Sequence, residues 1–172
     1  ATATPWNAST NKVITASLIG YWTPDPNANG PQSALKVVAR DDAPLESTTP
    51  VQAVVSVSPS TDAPTLTAVD IISGQTEGEP MEISYTSIAA ASDEADVDGD
   101  AISFRIEAVS SGTLQKWTSS AWAAVVPGTT LVAAGEKLRW TPAIGTTGLQ
   151  NAFTIKAWDG QFASATAVQL KI

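Results

Sequence analysis

The sequence predicts an all-β fold in which antiparallel sheets pack face to face as a sandwich. Ala, Thr, Ser and Val dominate the composition, whereas the helix formers Leu, Lys, Arg and Gln are sparse. Gly and Pro, with 11 residues each, interrupt the chain at short intervals, as turns between strands require. Apolar and polar residues also alternate with a period of two in several segments, which is typical of strands with one buried face.

An internal repeat organises the chain. The segment Trp22 to Asp41 aligns without a gap on Trp140 to Asp159, a shift of 118 residues, and 8 of the 20 positions are identical. An alternating strand follows each copy, VQAVVSV in the first and AVQLKI in the second. Each copy therefore ends in the same succession of elements.

The repeat sets the predicted domain boundaries. Residues 58–64, SPSTDAP, show no hydrophobic period and read as a connection. We predict a partial repeat over residues 1–60 that contains only the rear strands, a linker over residues 61–64, and a complete sandwich repeat over residues 65–172. The first repeat lacks the front strands, so it is either a piece of a longer array or is completed by a strand from another molecule.

Within the complete repeat each element has its own signal. A leading strand is predicted within Thr65 to Ser73, and a hairpin between Thr113 and Val132 with turns near Ser119 and Gly128. One helical turn is possible at Ile88 to Ala91. Five segments alternate clearly and are predicted strands: Met81 to Tyr85, Ile102 to Ile106, Leu138 to Trp140, Phe153 to Ile155 and Val168 to Ile172.

Charge and missing residue types exclude several functions. The net charge of −8 and the pI near 4.3 argue against nucleic acid or an anionic membrane as partner, and we expect neither. The chain contains no Cys and no His, so disulfides, Ser-His-Asp systems and His-ligated zinc are not available. No apolar run is long enough to span a membrane. We expect a protein without enzymatic activity.

Five carboxylates crowd into the eight residues Asp93 to Asp100, directly before an alternating strand. In an antiparallel sandwich of this strand order, that loop shares one pole with the start of the repeat, which carries Asp62, and with the loop that carries Asp159. Carboxylates that lie close together without a counterion repel one another. A hard cation, which binds six to eight oxygens, attracts all of them and makes the cluster favourable. We predict a calcium site that includes Asp62, Asp96, Asp98, Asp100 and Asp159.

The acidic loop has two other interpretations. An EF-hand would place Asp96, Asp98, Asp100 and Glu107 at ligand positions, but Ala101 stands where that loop needs Gly, and residues 101–107 alternate as a strand. A solvated acidic turn that binds no metal remains open, because charge runs are usually of that kind.

The motifs DVDGDAISFRI, LRWTP, FTIKAWDG and ATAVQLKI, in this order, resemble the cadherin-like (immunoglobulin-like) tandem repeats of large bacterial surface and biofilm adhesins. WTPDPNANG and STDAPTL are similar to a turn and a linker of those repeats. The resemblance implies an extracellular, calcium-rigidified module on a bacterial cell surface, with Asp96, Asp98, Asp100, Asp62 and Asp159 as metal ligands. Asp25, where the second copy has Ala143, is expected to reach the same ion.

The expected function is a non-enzymatic structural or adhesive spacer repeat whose partners are neighbouring repeats of the same protein. Two alternatives remain. The first is a subunit of a self-assembling extracellular filament or surface layer, in which other copies of the chain add a strand. The second is a carbohydrate-binding adhesin domain, in which Trp158 with Trp117 or Trp122 stacks on a surface glycan.

Overall fold

A computed structural model of the protein describes residues 4–10, 12–43 and 45–172. The chain divides into two compact units, unit 1 (Ala1–Ser60) and unit 2 (Thr61–Ile172). The regular structure is almost entirely antiparallel β-sheet, so the predicted all-β class is confirmed.

The described residues of unit 1 form one hairpin. Strand β1 (Gly30–Val37) pairs antiparallel with β2 (Val51–Val57), and a bulge interrupts their register between Ser33 and Leu35. Val51 to Val57 is the closing strand that the sequence predicts. An isolated two-stranded ribbon is marginally stable in water, because one of its faces has nothing to pack against.

Unit 2 contains eight strands and one helix. They are β3 (Met81–Ser84), α1 (Tyr85–Ala91), β4 (Ser103–Val109), β5 (Thr113–Trp117), β6 (Trp122–Ala124), β7 (Leu131–Val132), β8 (Lys137–Thr141), β9 (Asn151–Trp158) and β10 (Val168–Lys171). One sheet has the order β10-β9-β4-β7 and the other β3-β8-β5-β6. The predicted hairpin is β5–β6, with Ser119 in its turn at a φ of 71°.

The inward residues of both sheets form a single core, which makes the unit a sandwich. Phe104, Ile106, Phe153 and Ile155 of one sheet and Ile83, Leu138 and Trp140 of the other belong to one buried cluster. These residues occupy alternate positions of their strands, as the period of two predicts. Trp140 satisfies its polar atom while buried, because Nε1 donates to the carbonyl of Ser111 at 2.8 Å.

Helix α1 is longer than the single predicted turn, and β3 ends before Tyr85 as a result. The N-cap residue is Ser84, whose Oγ accepts a hydrogen bond from Ser87 N at 3.0 Å. The Ala-rich run that follows has high helix propensity, and Ile88 fills the core from the helix. The helix leads the chain from β3 to the acidic loop.

The predicted leading strand within Thr65 to Ser73 is not formed as a continuous strand. The segment makes two isolated bridges, Thr65 with Ala95 and Val69 with Ser92, although Leu66 and Ile72 are buried. Between the two bridges, the amides of Thr67 and Ala68 bond a side chain, the carboxylate of Asp93. The ladder is interrupted because a side-chain acceptor replaces the backbone carbonyls there.

Candidate metal centre

The acidic loop and Asp159 lie at the same end of one sheet because of the register between β4 and β9. Ser103, the first residue of β4, pairs with Trp158, the last residue of β9. Asp100 lies three residues before Ser103, and Asp159 follows Trp158 directly. Neighbouring antiparallel strands thus carry the end of the acidic loop and Asp159 to a common edge.

Asp96 organises the loop through its own carboxylate. Its Oδ1 accepts hydrogen bonds from Asp98 N at 2.8 Å and Asp100 N at 3.2 Å, and its carbonyl accepts one from Gly99 N. Gly99 has a φ of 79°, which non-glycine residues rarely adopt, so the tight turn needs Gly there. One carboxylate oxygen from each of Asp96, Asp98 and Asp100 lies within 4.8 Å of the others.

Two oxygens at this end of the sandwich are buried without a partner. Oδ2 of Asp96 and Oδ2 of Asp159 accept no hydrogen bond from any residue that the structure describes. The Oδ1 atom of Asp159 accepts bonds from the amides of Gln161 and Phe162, both at 2.6 Å, which fixes the orientation of the carboxylate. A buried, unpaired carboxylate oxygen is costly, so these two atoms are candidate ligands for a cation.

The first residues of unit 2 are held at the loop. Asp62 N donates to Oδ2 of Asp98 at 2.8 Å, and Thr65 exchanges backbone hydrogen bonds with Ala95 at 2.8 and 3.1 Å. The carboxylate of Asp98 therefore connects the acidic loop to the segment that begins the unit. These contacts bring Asp62 to the loop, whereas its role as a ligand stays a prediction.

Asp93 and Glu94 belong to the sequence cluster but have other roles. The Asp93 carboxylate accepts bonds from Thr67 Oγ1, from Thr67 N at 2.8 Å and from Ala68 N at 2.9 Å. These bonds, with that of the Thr67 hydroxyl the largest cause, lower the pKa of Asp93 to about 2. Oε2 of Glu94 accepts a bond from the Ser92 hydroxyl at 2.5 Å. The hydrogen bonding of Asp93 with Thr67 was not predicted, because the Thr67–Asp93 pair shows no signal in the sequence.

Asp25 lies in unit 1, where its carbonyl accepts a hydrogen bond from Ala28 N at 3.1 Å in a turn. Its expected participation in the metal site stays a prediction. Asp41, the counterpart of Asp159 in the first copy, also accepts a backbone hydrogen bond with Oδ1, from Leu45 N at 2.8 Å. The two turns differ in length, because Leu45 lies four residues after Asp41, whereas the amides that bond Oδ1 of Asp159 lie two and three residues after it.

The arrangement can hold a metal ion. The three carboxylates of Asp96, Asp98 and Asp100 supply oxygen ligands from a loop whose backbone is already fixed, and two buried oxygens lack partners. Oxygen ligands suit hard cations, and a flexible all-oxygen set suits calcium better than magnesium, which demands near-ideal octahedral geometry. The EF-hand interpretation fails in the structure as well, because Glu107 lies in β4 and pairs with Arg105 at 2.5 Å.

The tryptophans proposed for glycan stacking lie in two different sheets, and the glycan-binding alternative stays a prediction. Trp117 and Trp122 are cross-strand partners in the β5–β6 hairpin, with ring centroids 5.2 Å apart, whereas Trp158 lies in the other sheet. Arg139 stacks on Trp122 at 4.5 Å and Arg105 on Trp158 at 5.0 Å. The guanidinium groups cover ring surface that a sugar would use.

Comparison with known proteins identifies the family of unit 2. No curated protein and no solved structure matches the chain significantly. The family model described as Bacterial Ig domain matches residues 61–170, which confirms the resemblance to immunoglobulin-like repeats of bacterial surface proteins. Such domains are a non-catalytic module type, are typically exposed at the surface, and suggest a structural or adhesive role. In the described residues no helix is long and apolar enough to cross a membrane. The chain belongs to the Bacterial Ig domain family.

Proposed function

We propose that the chain is a non-enzymatic spacer module of a bacterial cell-surface protein, and that a calcium ion at the acidic loop fixes the start of unit 2. The observation that carries the proposal is the pair of buried oxygens without partners, Asp96 Oδ2 and Asp159 Oδ2. They come from a loop and a strand end that are distant in sequence, so a cation bound to both would cross-link them.

Through Asp98, the bound ion would also order the first residues of unit 2, residues 61–65. Oδ2 of Asp98 holds the amide of Asp62, so an ion that orders the Asp98 side chain also orders residues 61–65. A segment held in this way has less freedom to bend, which is what a spacer needs. Asp62 and Asp25 complete the proposed ligand set. The Asp25→Ala variant tests the latter, because it lowers calcium affinity only if Asp25 is a ligand.

The test is hydrogen exchange of the amides of Asp62 and Thr65 in the full chain, with calcium and with chelator. We expect calcium to slow exchange at both amides, and we expect Asp98→Asn to remove that effect. The matched control is Asp70→Asn, because Asp70 is exposed and its carboxylate makes none of the contacts described above. Equal exchange rates with and without calcium would refute the rigidifying role, and a flat calorimetric titration would refute the site.

A further inference from the structure

The hairpin of unit 1 is the structural counterpart of β9–β10 in unit 2. Leu35 pairs with Ala53 and Val37 with Val51, as Phe153 pairs with Leu170 and Ile155 with Val168. Both hairpins also have a register shift at the equivalent place, after Ser33 in one and around Asn151 in the other. The two hairpins therefore have the same register and the same bulge.

Side-chain contacts repeat as well. Gln52 Nε2 donates to the carbonyls of Leu35 and Ala53 at 2.9 and 3.0 Å, and Gln169 Nε2 donates to those of Phe153 and Leu170 at 2.9 and 2.8 Å. The serine that follows each first strand makes the same bond, since Ser47 Oγ accepts from Ala39 N and Ser164 Oγ from Ala157 N, both at 3.1 Å. Unit 2 therefore shows which strand pairs with the outer edge of such a hairpin and buries its apolar face.

In unit 2 this strand is β4. It pairs antiparallel with the free edge of β9 and places Ile106 opposite Ile155, and both side chains are fully buried. In unit 1 the equivalent edge of β1 has no partner strand among the described residues. Leu35 and Val37 remain 38% and 42% exposed, whereas their counterparts Phe153 and Ile155 are at 0%. In unit 1 the exposed apolar side chains of Leu35 and Val37 therefore lie on a strand whose outer edge is unpaired.

The charges along this edge differ between the units. Lys36 stands where unit 2 has Thr154, opposite Ala108 of β4, and Arg40 stands where unit 2 has Trp158, opposite Ser103. Lys36 is exposed and forms no ion pair within residues 4–10, 12–43 and 45–172, although the chain as a whole is acidic. Glu46 lies across a bridge from Arg40, but on the side of β2 rather than on the open edge. Lys36 is therefore the position of this edge that complements a carboxylate on an added strand.

We propose that the β1 edge of unit 1 is an acceptor for an added β-strand that has large apolar residues facing the core and carboxylates facing outward. The strand would pair antiparallel with residues 35–40, in the place that β4 holds in unit 2. Its apolar residues would lie opposite Leu35, Val37 and Ala39, and a carboxylate would lie opposite Lys36.

The source of this strand is a polypeptide segment outside these 172 residues. The matching strand of unit 2 is already used, because Phe104 and Ile106 are buried in its own core. In a second copy every strand of unit 2 already pairs within its own sheet, so unit 2 of that copy offers no free strand. The proposal does not depend on calcium, so it can be tested in the presence of chelator and can fail or succeed independently of the metal site.

The experiment adds synthetic peptides to the full chain and follows the amides of β1 by NMR and hydrogen exchange. The first peptide has the β4 sequence from Asp100 to Val109, and we expect saturable shifts and slower exchange along residues 35–40. The peptide carrying Ala108→Glu should bind about threefold more tightly, and the peptide carrying Ala108→Lys more weakly, as expected for a cross-strand charge pair. A peptide with Phe104→Ser and Ile106→Ser is the control that lacks the apolar residues and should not bind.

Two chain variants locate the binding site. Val37→Asp should abolish peptide binding. Because Val37 is partly exposed and lies in unit 1, the melting temperature of unit 2 should not change. Lys36→Glu should reverse the preference between the Glu and Lys peptides even if Val37→Asp disturbs the hairpin. Peptide shifts that are absent, or that are equal in both variants and the parent chain, would overturn the proposal. A dimer by light scattering that Val37→Asp dissociates would also overturn it, since the occupant would then be a second copy.

Discussion

The backbone amide of Asp62 donates a 2.8 Å hydrogen bond to Oδ2 of Asp98, which lies 36 residues further along the chain. The bond uses a carboxylate of the acidic loop to hold the residue with which unit 2 begins. A change in the charge or order of that loop can therefore reach residues 61–65 through this bond, as well as through the backbone bonds between Thr65 and Ala95.

Calcium should raise the thermal stability of unit 2. A ligand that binds only the folded state at 100 times its Kd contributes about 2.7 kcal/mol, which corresponds to a rise in Tm of roughly 10 °C for a domain of this size. Scanning calorimetry with calcium and with chelator measures the shift. Magnesium at the same concentration should have a smaller effect, because the flexible all-oxygen site suits calcium better. Identical melting curves in calcium and in chelator would contradict the prediction.

Asp159→Asn should have opposite effects in the two conditions. In chelator the variant should melt at the same temperature as the parent or above it, because it removes a charge whose Oδ2 is buried without a partner. In calcium the parent should gain stability and the variant should not. Asp70→Asn, at an exposed position of the same unit, should leave both melting temperatures unchanged. A variant that loses stability equally in both conditions would indicate a structural role and no metal.

The hydrogen bonds from Thr67 and Ala68 to the Asp93 carboxylate predict a pH dependence that is separate from calcium. Because the folded pKa of Asp93 is lowered from 3.8 to about 2, these bonds contribute stability above pH 3.8, and the contribution is lost as the pH falls towards 2. Asp93→Asn should therefore be less stable than the parent at neutral pH, and the difference should shrink between pH 4 and pH 2. Urea unfolding in chelator across this range measures it, and a difference that stays constant with pH would contradict the assignment.

The sequence predicts those strands whose one buried face leaves a clear alternation. β4, β8 and β9 alternate because Phe104, Trp140 and Ile155 face the core while their neighbours face water. Helix α1 was underestimated because Tyr85 continues the alternation of β3, whereas the cap at Ser84 ends the strand and starts the helix. Local capping overrides periodicity at that position.

The candidate site was predicted in part for a similar reason. The sequence shows the alternating spacing of Asp96, Asp98 and Asp100 around Gly99, and the predicted strand order places this loop and Asp159 at one pole. The different use of Asp93 was not visible, because its partner Thr67 is 26 residues away and lies in a segment that forms no regular strand. Sequence spacing shows which carboxylates are close together, but not which of them are already hydrogen-bonded.

Gly112 should be the least replaceable of the turn glycines in unit 2. It has a φ of +66°, and a Cβ there would collide with the carbonyl oxygen of Thr141 and lie 3.0 Å from Nε1 of Trp140, beside the bond from that nitrogen to Ser111. Gly128 has a similar φ of +75°, but nothing lies within 4 Å of a Cβ placed on it. Gly128→Ala should therefore cost only the left-handed backbone term of about 1 kcal/mol. Gly112→Ala should cost that and the collision, roughly 3 kcal/mol or more in urea unfolding. Equal losses of unfolding free energy in the two variants would show that the carbonyl of Thr141 moves aside at little cost. The close approach of Gly112 to Thr141 would then not stabilise the end of the β5–β8 pair.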